Sequence, residues 1–198
     1  METQKKKEAI NPEGALDLLK RGNLRFINSE ISVKDFKEQI KTTSNGQYPH
    51  TVVLSCIDSR VPAEIIFDQG IGDIFSVRVA GNVVNDDVLG SIEYGCKVAG
   101  SKLVVVLGHT KCGAVTSACK GVKLGNITGL LEKINPVIEI TSDTVDQETV
   151  EKVAIENIKH SIKRIRKESN ILAEMEANKT IKIVGGSYDI STGLVTFI

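Results

Sequence analysis

A chain of 198 residues has room for one domain with a substantial core and is short for two. Its 25 lysines and arginines balance its 25 aspartates and glutamates, so no net field attracts nucleic acid or an anionic membrane. The N-terminus lacks the apolar core of a signal peptide, and no segment approaches the roughly 18 apolar residues of a membrane span. These features predict a soluble, cytoplasmic protein with neither a nucleic-acid partner nor a membrane partner.

The first part of the chain has the pattern of a helical arm. Residues 11–43 begin with Asn-Pro, which is a helix cap followed by proline at the first helical position. Apolar residues then recur at the spacing of one helix face. We assign residues 1–45 to an N-terminal helical arm within a single domain that spans residues 1–198.

The rest of the chain alternates strands with helices. Helical spacing covers 85–100 and 147–178. Short apolar runs rich in β-branched residues predict strands at 51–56, 73–81, 102–109, 181–189 and 193–198. The alternation predicts an α/β fold with a mainly parallel central sheet of about five strands flanked by helices. A turn just before the last strand predicts that this strand is antiparallel and lies at an edge.

Cysteine and histidine side chains stand where two predicted strands end. Cys56 ends the first strand, and His109 and Cys112 form a His-x2-Cys motif at the end of the third. The carboxyl ends of parallel strands share one edge of the sheet, so these side chains are expected to lie close together. Two sulfurs and one imidazole are a zinc donor set, and three protein ligands leave a fourth position open, as catalytic sites do. The sequence therefore predicts one Zn²⁺ per chain.

Each of these residues also has a purely structural interpretation. A cysteine in an apolar strand is often a core residue, and His109 could simply cap the following helix. Cys96 and Cys119 lie in helical or loop context, and we interpret both as small buried side chains. A structural or regulatory zinc protein is thus an alternative, although such a site would normally fill its fourth position with a protein ligand.

Two charged residues accompany the first cysteine. Cys56, Asp58 and Arg60 stand at every second position, so the three side chains point to one side while the chain stays extended.

The stretches SCIDSRVP, GDIFSVRVAGN, SIEYGCKVAG and GHTKCGA, with the C-terminal YDISTGLVTFI, resemble a beta-class carbonic anhydrase in order and spacing. The resemblance implies zinc held by Cys56, His109 and Cys112. It also implies reversible hydration of carbon dioxide to bicarbonate and a proton, by a zinc-activated hydroxide that the Asp58–Arg60 dyad orients.

The resemblance further implies a substrate pocket. A bicarbonate-binding glutamine of the family, which usually acts across a subunit boundary, matches Gln47. Positions that line the narrow pocket or bind substrate through the backbone match Val61, Phe75, Ala80, Tyr94 and Gly113.

The resemblance also bears on assembly and regulation. The family pairs its subunits through the N-terminal helical arm, which implies a homodimer or homotetramer. Some relatives carry a regulatory bicarbonate site built from Trp, Arg and Tyr. Arg78 and Tyr94 match two of its members, but Val53 stands in the place of the tryptophan, so this chain departs from the pattern.

The sequence leaves two alternatives to carbon dioxide hydration. Relatives that hydrolyse carbon disulfide or carbonyl sulfide resemble this chain in the same ligand set, and access to the pocket distinguishes them more than the ligands do. A nucleotide-binding α/β protein is disfavoured, because the sequence has neither a Walker motif nor a Gly-x-Gly-x2-Gly phosphate loop.

Overall fold

A single sheet of five strands lies at the centre of the molecule. The computed structural model describes residues 10–138 and 145–198, so residues 1–9 of the predicted arm lie outside the described part. The strands are β1 Thr51–Ser55, β2 Ile74–Arg78, β3 Leu103–His109, β4 Lys182–Tyr188 and β5 Val195–Phe197. They lie in the order β2–β1–β3–β4–β5. The first four are parallel and β5 pairs antiparallel with β4. The predicted α/β fold with an antiparallel edge strand is confirmed.

Helices cover both faces of this sheet. They are α1 Pro12–Ile27, α2 Phe36–Thr43, α3 Ala63–Ile66, α4 Asp86–Glu93, α5 Gly113–Cys119, α6 Gly125–Leu131, α7 Gln147–Glu168 and α8 Asn170–Ala177. Successive residues of β1 point to opposite faces, so Val52 and Ile158 of α7 share one apolar cluster, whereas Val53 and Leu19 of α1 share the other. Every residue of the central strand β3 is buried, as expected for a parallel strand covered on both faces.

Two of the predicted helical segments are interrupted by local capping. The arm divides between α1 and α2, and Asp35 begins α2 by accepting a hydrogen bond from the Glu38 N–H. The segment 147–178 divides at Ser169, whose backbone is extended and whose hydroxyl accepts from the Leu172 N–H at 3.1 Å. Short polar side chains that bond to the backbone in this way compete with a continuous helix. Periodicity alone does not reveal such breaks.

The helix predicted at 85–100 also changes character before it ends. Regular α-helix stops at Glu93, and a π-helical turn continues from Tyr94 to Val98. Single 3₁₀ turns occupy Ala80–Asn82 and Asn135–Val137.

The two helices of the arm differ in how they attach to the sheet. α1 packs its apolar face on the sheet, whereas no residue of α2 is buried. The loop between them is held by Asp68, whose side chain is completely buried and accepts hydrogen bonds from Arg25, Ser32 and Lys34. In the described part of the chain, no helix is both long enough and apolar enough to cross a membrane.

Candidate metal centre

The predicted ligands meet at the carboxyl edge of the sheet. Ser55 of β1 lies beside Leu107 of β3, so Cys56 follows one strand where His109 ends its neighbour. Cys112 then caps α5. The two sulfurs and a ring nitrogen of His109 lie within 4.8 Å of one another, and all three residues are buried. Because zinc bonds to sulfur and to imidazole nitrogen are about 2.3 and 2.1 Å long, one ion can reach all three atoms.

The hydrogen bonding of His109 leaves one ring nitrogen for a metal. Its Nδ1 lies 2.8 Å from the carbonyl oxygen of Thr110 and donates to it, which assigns the proton to Nδ1. Nε2 is buried and has no hydrogen-bond partner among the described residues. A buried lone pair without a donor is costly in a native protein unless a ligand uses it. The tautomer and the orphaned nitrogen therefore fit a metal ligand, with the second nitrogen oriented by the backbone as is usual for such histidines.

The two cysteines form an electrostatically coupled pair. The Cys112 thiol donates a hydrogen bond to the Cys56 sulfur, which holds the pKa of Cys56 well below that of an ordinary thiol. The same hydrogen bond, together with burial, raises the pKa of Cys112. Burial disfavours the His109 imidazolium, yet the charge of the neighbouring Cys56 sulfur leaves its pKa raised. Cys56 thus carries negative charge at a buried position. A divalent cation that binds thiolates would neutralise this charge and would displace the proton of the Cys112 thiol.

A bidentate ion pair stands beside the donor atoms. Arg60 Nε lies 2.9 Å from Asp58 Oδ1 and Nη2 lies 2.7 Å from Oδ2, and the backbone N–H of Arg60 also donates to Oδ1. Asp58 Oδ2 is 3.8 Å from His109 Nε2, the nitrogen that faces the cluster. The hydrogen bonds from Arg60 hold the pKa of Asp58 well below its ordinary range. Asp58 is therefore an ionised acceptor at the mouth of the ligand cluster.

Backbone contacts fix both ligand loops. Arg78 Nη2 donates to the carbonyl oxygen of Asp58 at 2.7 Å, and its Nε donates to that of Cys56 at 3.1 Å. In the other loop, Lys111 has a left-handed backbone with φ of 53°, and its N–H donates to Glu151 of α7 at 2.9 Å. The sequence did not indicate these supporting roles, since hydrogen bonds to the backbone leave no pattern of residue types.

The predicted pocket residues fall into two groups. Ala80 lies next to Gly81, whose N–H donates to the Cys56 sulfur, and Gly113 directly follows Cys112. The Val61 N–H donates to the Asp58 carbonyl oxygen, but its side chain is buried in the apolar cluster beneath α1 and α3. These three adjoin the ligand loops in sequence and in space.

The remaining pocket residues lie away from the ligands in the same chain. Gln47 is exposed and precedes the start of β1, whereas Cys56 follows its end, a separation of about 17 Å along the strand. Phe75 pairs with Val52 near the start of β1 and contacts Tyr94 edge-on, with ring centroids 6.4 Å apart. The chain by itself therefore does not bring Gln47, Phe75 and Tyr94 to its own ligand cluster.

Val53 and Arg78, at positions that match the regulatory bicarbonate site of some relatives, both have structural roles in this chain. Val53 is fully buried in the core, and the Arg78 guanidinium donates to two carbonyl oxygens of the Cys56–Asp58 loop. Arg78 thus has a clear structural task whether or not an anion binds nearby.

Comparison with known proteins agrees with this geometry. A family model described as "Carbonic anhydrase" matches residues 51–195. A carbonic anhydrase of Mycolicibacterium smegmatis is 35% identical over 191 residues, which cover 93% of this chain and 92% of that protein. Carbonic anhydrase 2 of Mycobacterium tuberculosis is 35% identical over 190 residues, with 92% and 91% of the two chains covered.

Solved structures share the fold as well. A beta-carbonic anhydrase of Aspergillus fumigatus superposes with a TM-score of 0.76 at 25% identity, covering 94% of this chain and 89% of that one. One of two tetrameric beta-carbonic anhydrases of Sordaria macrospora superposes with a TM-score of 0.72 at 23% identity, covering 82% and 90%. The match of motif, fold and full-length relatives leads to one conclusion: the chain belongs to the beta-class carbonic anhydrases, a family of enzymes.

Proposed function

We propose that this enzyme reversibly hydrates carbon dioxide to bicarbonate and a proton, at a zinc ion held by Cys56, His109 and Cys112. The observation that carries the proposal is the buried cluster of two sulfurs and one unpartnered imidazole nitrogen beside an ionised, arginine-bound carboxylate. When bound, zinc would lower the pKa of water by several units and so supply a hydroxide nucleophile near neutral pH.

In this proposal the Asp58–Arg60 dyad orients the nucleophile. Because Asp58 stays ionised, it can only accept a hydrogen bond, so it selects a hydroxide whose proton points toward it and whose lone pair points away. Arg60 donates hydrogen bonds to both carboxylate oxygens of Asp58, so it would compete with a metal ion for them. The pair would thereby keep the carboxylate available to the nucleophile and away from the metal.

The substrate pocket in this proposal needs a second subunit. Val61, Ala80 and Gly113 belong to the chain that carries the ligands, whereas Gln47, Phe75 and Tyr94 come from its neighbour. The support is that Gln47 lies beyond the opposite end of β1, too far to serve its own chain. A homodimer or homotetramer follows, and the Sordaria macrospora relatives are described as tetrameric. We further propose that residues 1–198 form one domain, with residues 1–45 as the arm that pairs the subunits.

The test is stopped-flow hydration of carbon dioxide by purified protein, with zinc measured on the same sample. We expect about one zinc per chain and a rate that depends on it. Protein fully loaded with zinc that leaves carbon dioxide unhydrated would contradict the proposal. Carbon disulfide and carbonyl sulfide belong in the same assay, because their hydrolysis without carbon dioxide hydration would assign the rival activity instead.

A further inference from the structure

A strained turn delivers one hydrogen bond to a ligand sulfur. The Gly81 N–H donates to Cys56 Sγ at 3.4 Å. Gly81 has a φ of 67°, and a Cβ there would lie 2.9 Å from Ile134 Cδ1, so both backbone and space favour glycine. The next residue, Asn82, is also left-handed, with a φ of 43°. Backbone of this kind persists only where surrounding contacts hold it.

The contacts that hold the turn come from α7. Asn157 Nδ2 donates to the Gly81 carbonyl oxygen at 2.7 Å, and Ser161 Oγ donates to the Asn82 carbonyl oxygen at 3.0 Å. Both side chains are 1% exposed and lie four residues apart on one face of the helix. Gly81 is therefore held from both sides, by the Cys56 sulfur at its N–H and by Asn157 at its carbonyl.

We propose that Asn157 is a positioning residue for the metal centre, acting through Gly81 on the Cys56 sulfur. The inference rests on the proposed zinc site. An N–H that donates to a ligating thiolate withdraws charge from sulfur, so the metal remains a stronger Lewis acid than two unassisted thiolates would allow. Ser161 supports the same turn one residue further from the sulfur.

Loss of Asn157 should change the electronic character of the site as well as its stability. Without the anchor the Gly81 N–H no longer points at sulfur, and the thiolate becomes richer in electrons. In cobalt-substituted protein, the sulfur-to-metal charge-transfer band should move to longer wavelength. The pH midpoint of hydration should rise, and zinc should bind about 10-fold or more weakly, which is typical when an outer partner of a ligand is lost.

The experiment compares Asn157→Leu with Asn23→Leu. Leucine has the same number and branching of side-chain heavy atoms as asparagine and removes its hydrogen bonds. Asn23 is a fitting control because it is also buried and donates its Nδ2 to a backbone carbonyl, that of Gly193, at 2.8 Å, but from α1 on the other face of the sheet. Ser161→Ala is a milder variant that keeps the test available if Asn157→Leu fails to fold. For each variant we would measure the absorption spectrum of the cobalt-substituted protein, the zinc affinity by chelator competition and the melting temperature.

In Asn157→Leu we expect a red-shifted charge-transfer band and weaker zinc binding. Ser161→Ala should show a smaller shift of the band. Asn23→Leu should keep the wild-type spectrum even though its melting temperature falls. An Asn157→Leu spectrum and affinity equal to those of the wild type would overturn the proposal, as would an equal loss of affinity in Asn23→Leu. If Asn157→Leu does not fold, an unshifted band in Ser161→Ala overturns it. If wild-type protein itself binds neither zinc nor cobalt, the proposed function fails, which is a separate result.

Discussion

The ligand cluster and the helix α2 are built in opposite ways. Cys56, His109 and Cys112 are buried by their own chain, and the backbone holds two of them: the Gly81 N–H donates to the Cys56 sulfur, and the His109 ring donates to the Thr110 carbonyl oxygen. α2 is amphipathic but buries none of its residues, and its Phe36 and Ile40 are 57% and 60% exposed.

This contrast separates what one chain completes from what it leaves open. A single chain encloses the proposed metal ligands, whereas the apolar face of α2 has nothing to cover it among the described residues. Apolar residues arranged along one face of a helix typically pack against another surface. We therefore expect metal binding to be a property of the chain, and full activity to be a property of the assembly.

The largest effect is expected at the ligands themselves. Cys56→Ala should lose most of its zinc and essentially all hydration activity, because two protein donors hold zinc far less tightly than three. Cys96→Ala is the matched control, since Cys96 is equally buried but lies in the apolar cluster near α4. Metal content and stopped-flow rates measure both variants. Full zinc occupancy in Cys56→Ala would show that the ligand set is wrong.

The next effect separates the dyad from the ligands. Arg60→Ala should keep its zinc and lose activity by roughly 100-fold, the scale of a misplaced proton-handling group. Without the guanidinium, the cation nearest to Asp58 is the metal, and a cobalt spectrum should report the changed coordination. Arg166→Ala removes a similar bidentate pair, with Glu176, away from the site and should leave the activity intact. Near-normal hydration by Arg60→Ala would refute the proposed role of the dyad.

Substitutions on the exposed face of α2 test whether the arm pairs the subunits. Phe36→Asp together with Ile40→Asp should weaken self-association by at least about tenfold, because burying one large apolar side chain contributes about 1.5–3 kcal/mol. Light scattering across a concentration series measures the assembly, and activity should fall with it while zinc stays bound. Lys37→Glu on the same helix is the control. A fully active monomer would show that α2 does not pair the subunits.

The smallest effect is expected where the arm joins the sheet domain. Asp68→Asn should lower the free energy of unfolding by about 1–3 kcal/mol at pH 7, because Arg25 and Lys34 lose their buried partner. Burial opposes ionisation of Asp68, but hydrogen bonds from Lys34, Arg25 and Ser32 outweigh it and lower the pKa.

The pH dependence of this effect follows from the sign of that shift. A depressed pKa stabilises the fold above the unfolded value of about 4, and the stabilisation is lost as pH falls further toward the folded value. The difference between wild type and Asp68→Asn in urea unfolding should therefore be largest near neutral pH and shrink below about pH 4. A difference that stays constant down to pH 3 would contradict this account.

Much of the fold was predictable because its signals are local. The apolar runs located all five strands to within three residues at either end, since a buried parallel strand must be apolar on both faces. The ligand cluster was equally predictable, because β1 and β3 are adjacent and parallel and their carboxyl ends therefore meet. The breaks at 28–35 and at Ser169 were missed, because a serine or aspartate cap looks the same as an exposed helix residue in a periodic pattern.

The sequence by itself thus determined the strands, their mainly parallel pairing and the residues that meet at the edge of the sheet, because those follow from side-chain periodicity and a short motif. Only the tertiary structure decided what supports the edge. Glu151 reaches Lys111 across 40 residues, and Asn157 reaches Gly81 across 76. These hydrogen bonds exist because α7 docks on the sheet with one particular rotation and height. That docking depends on the sum of many packing contacts, which no local pattern of residues encodes.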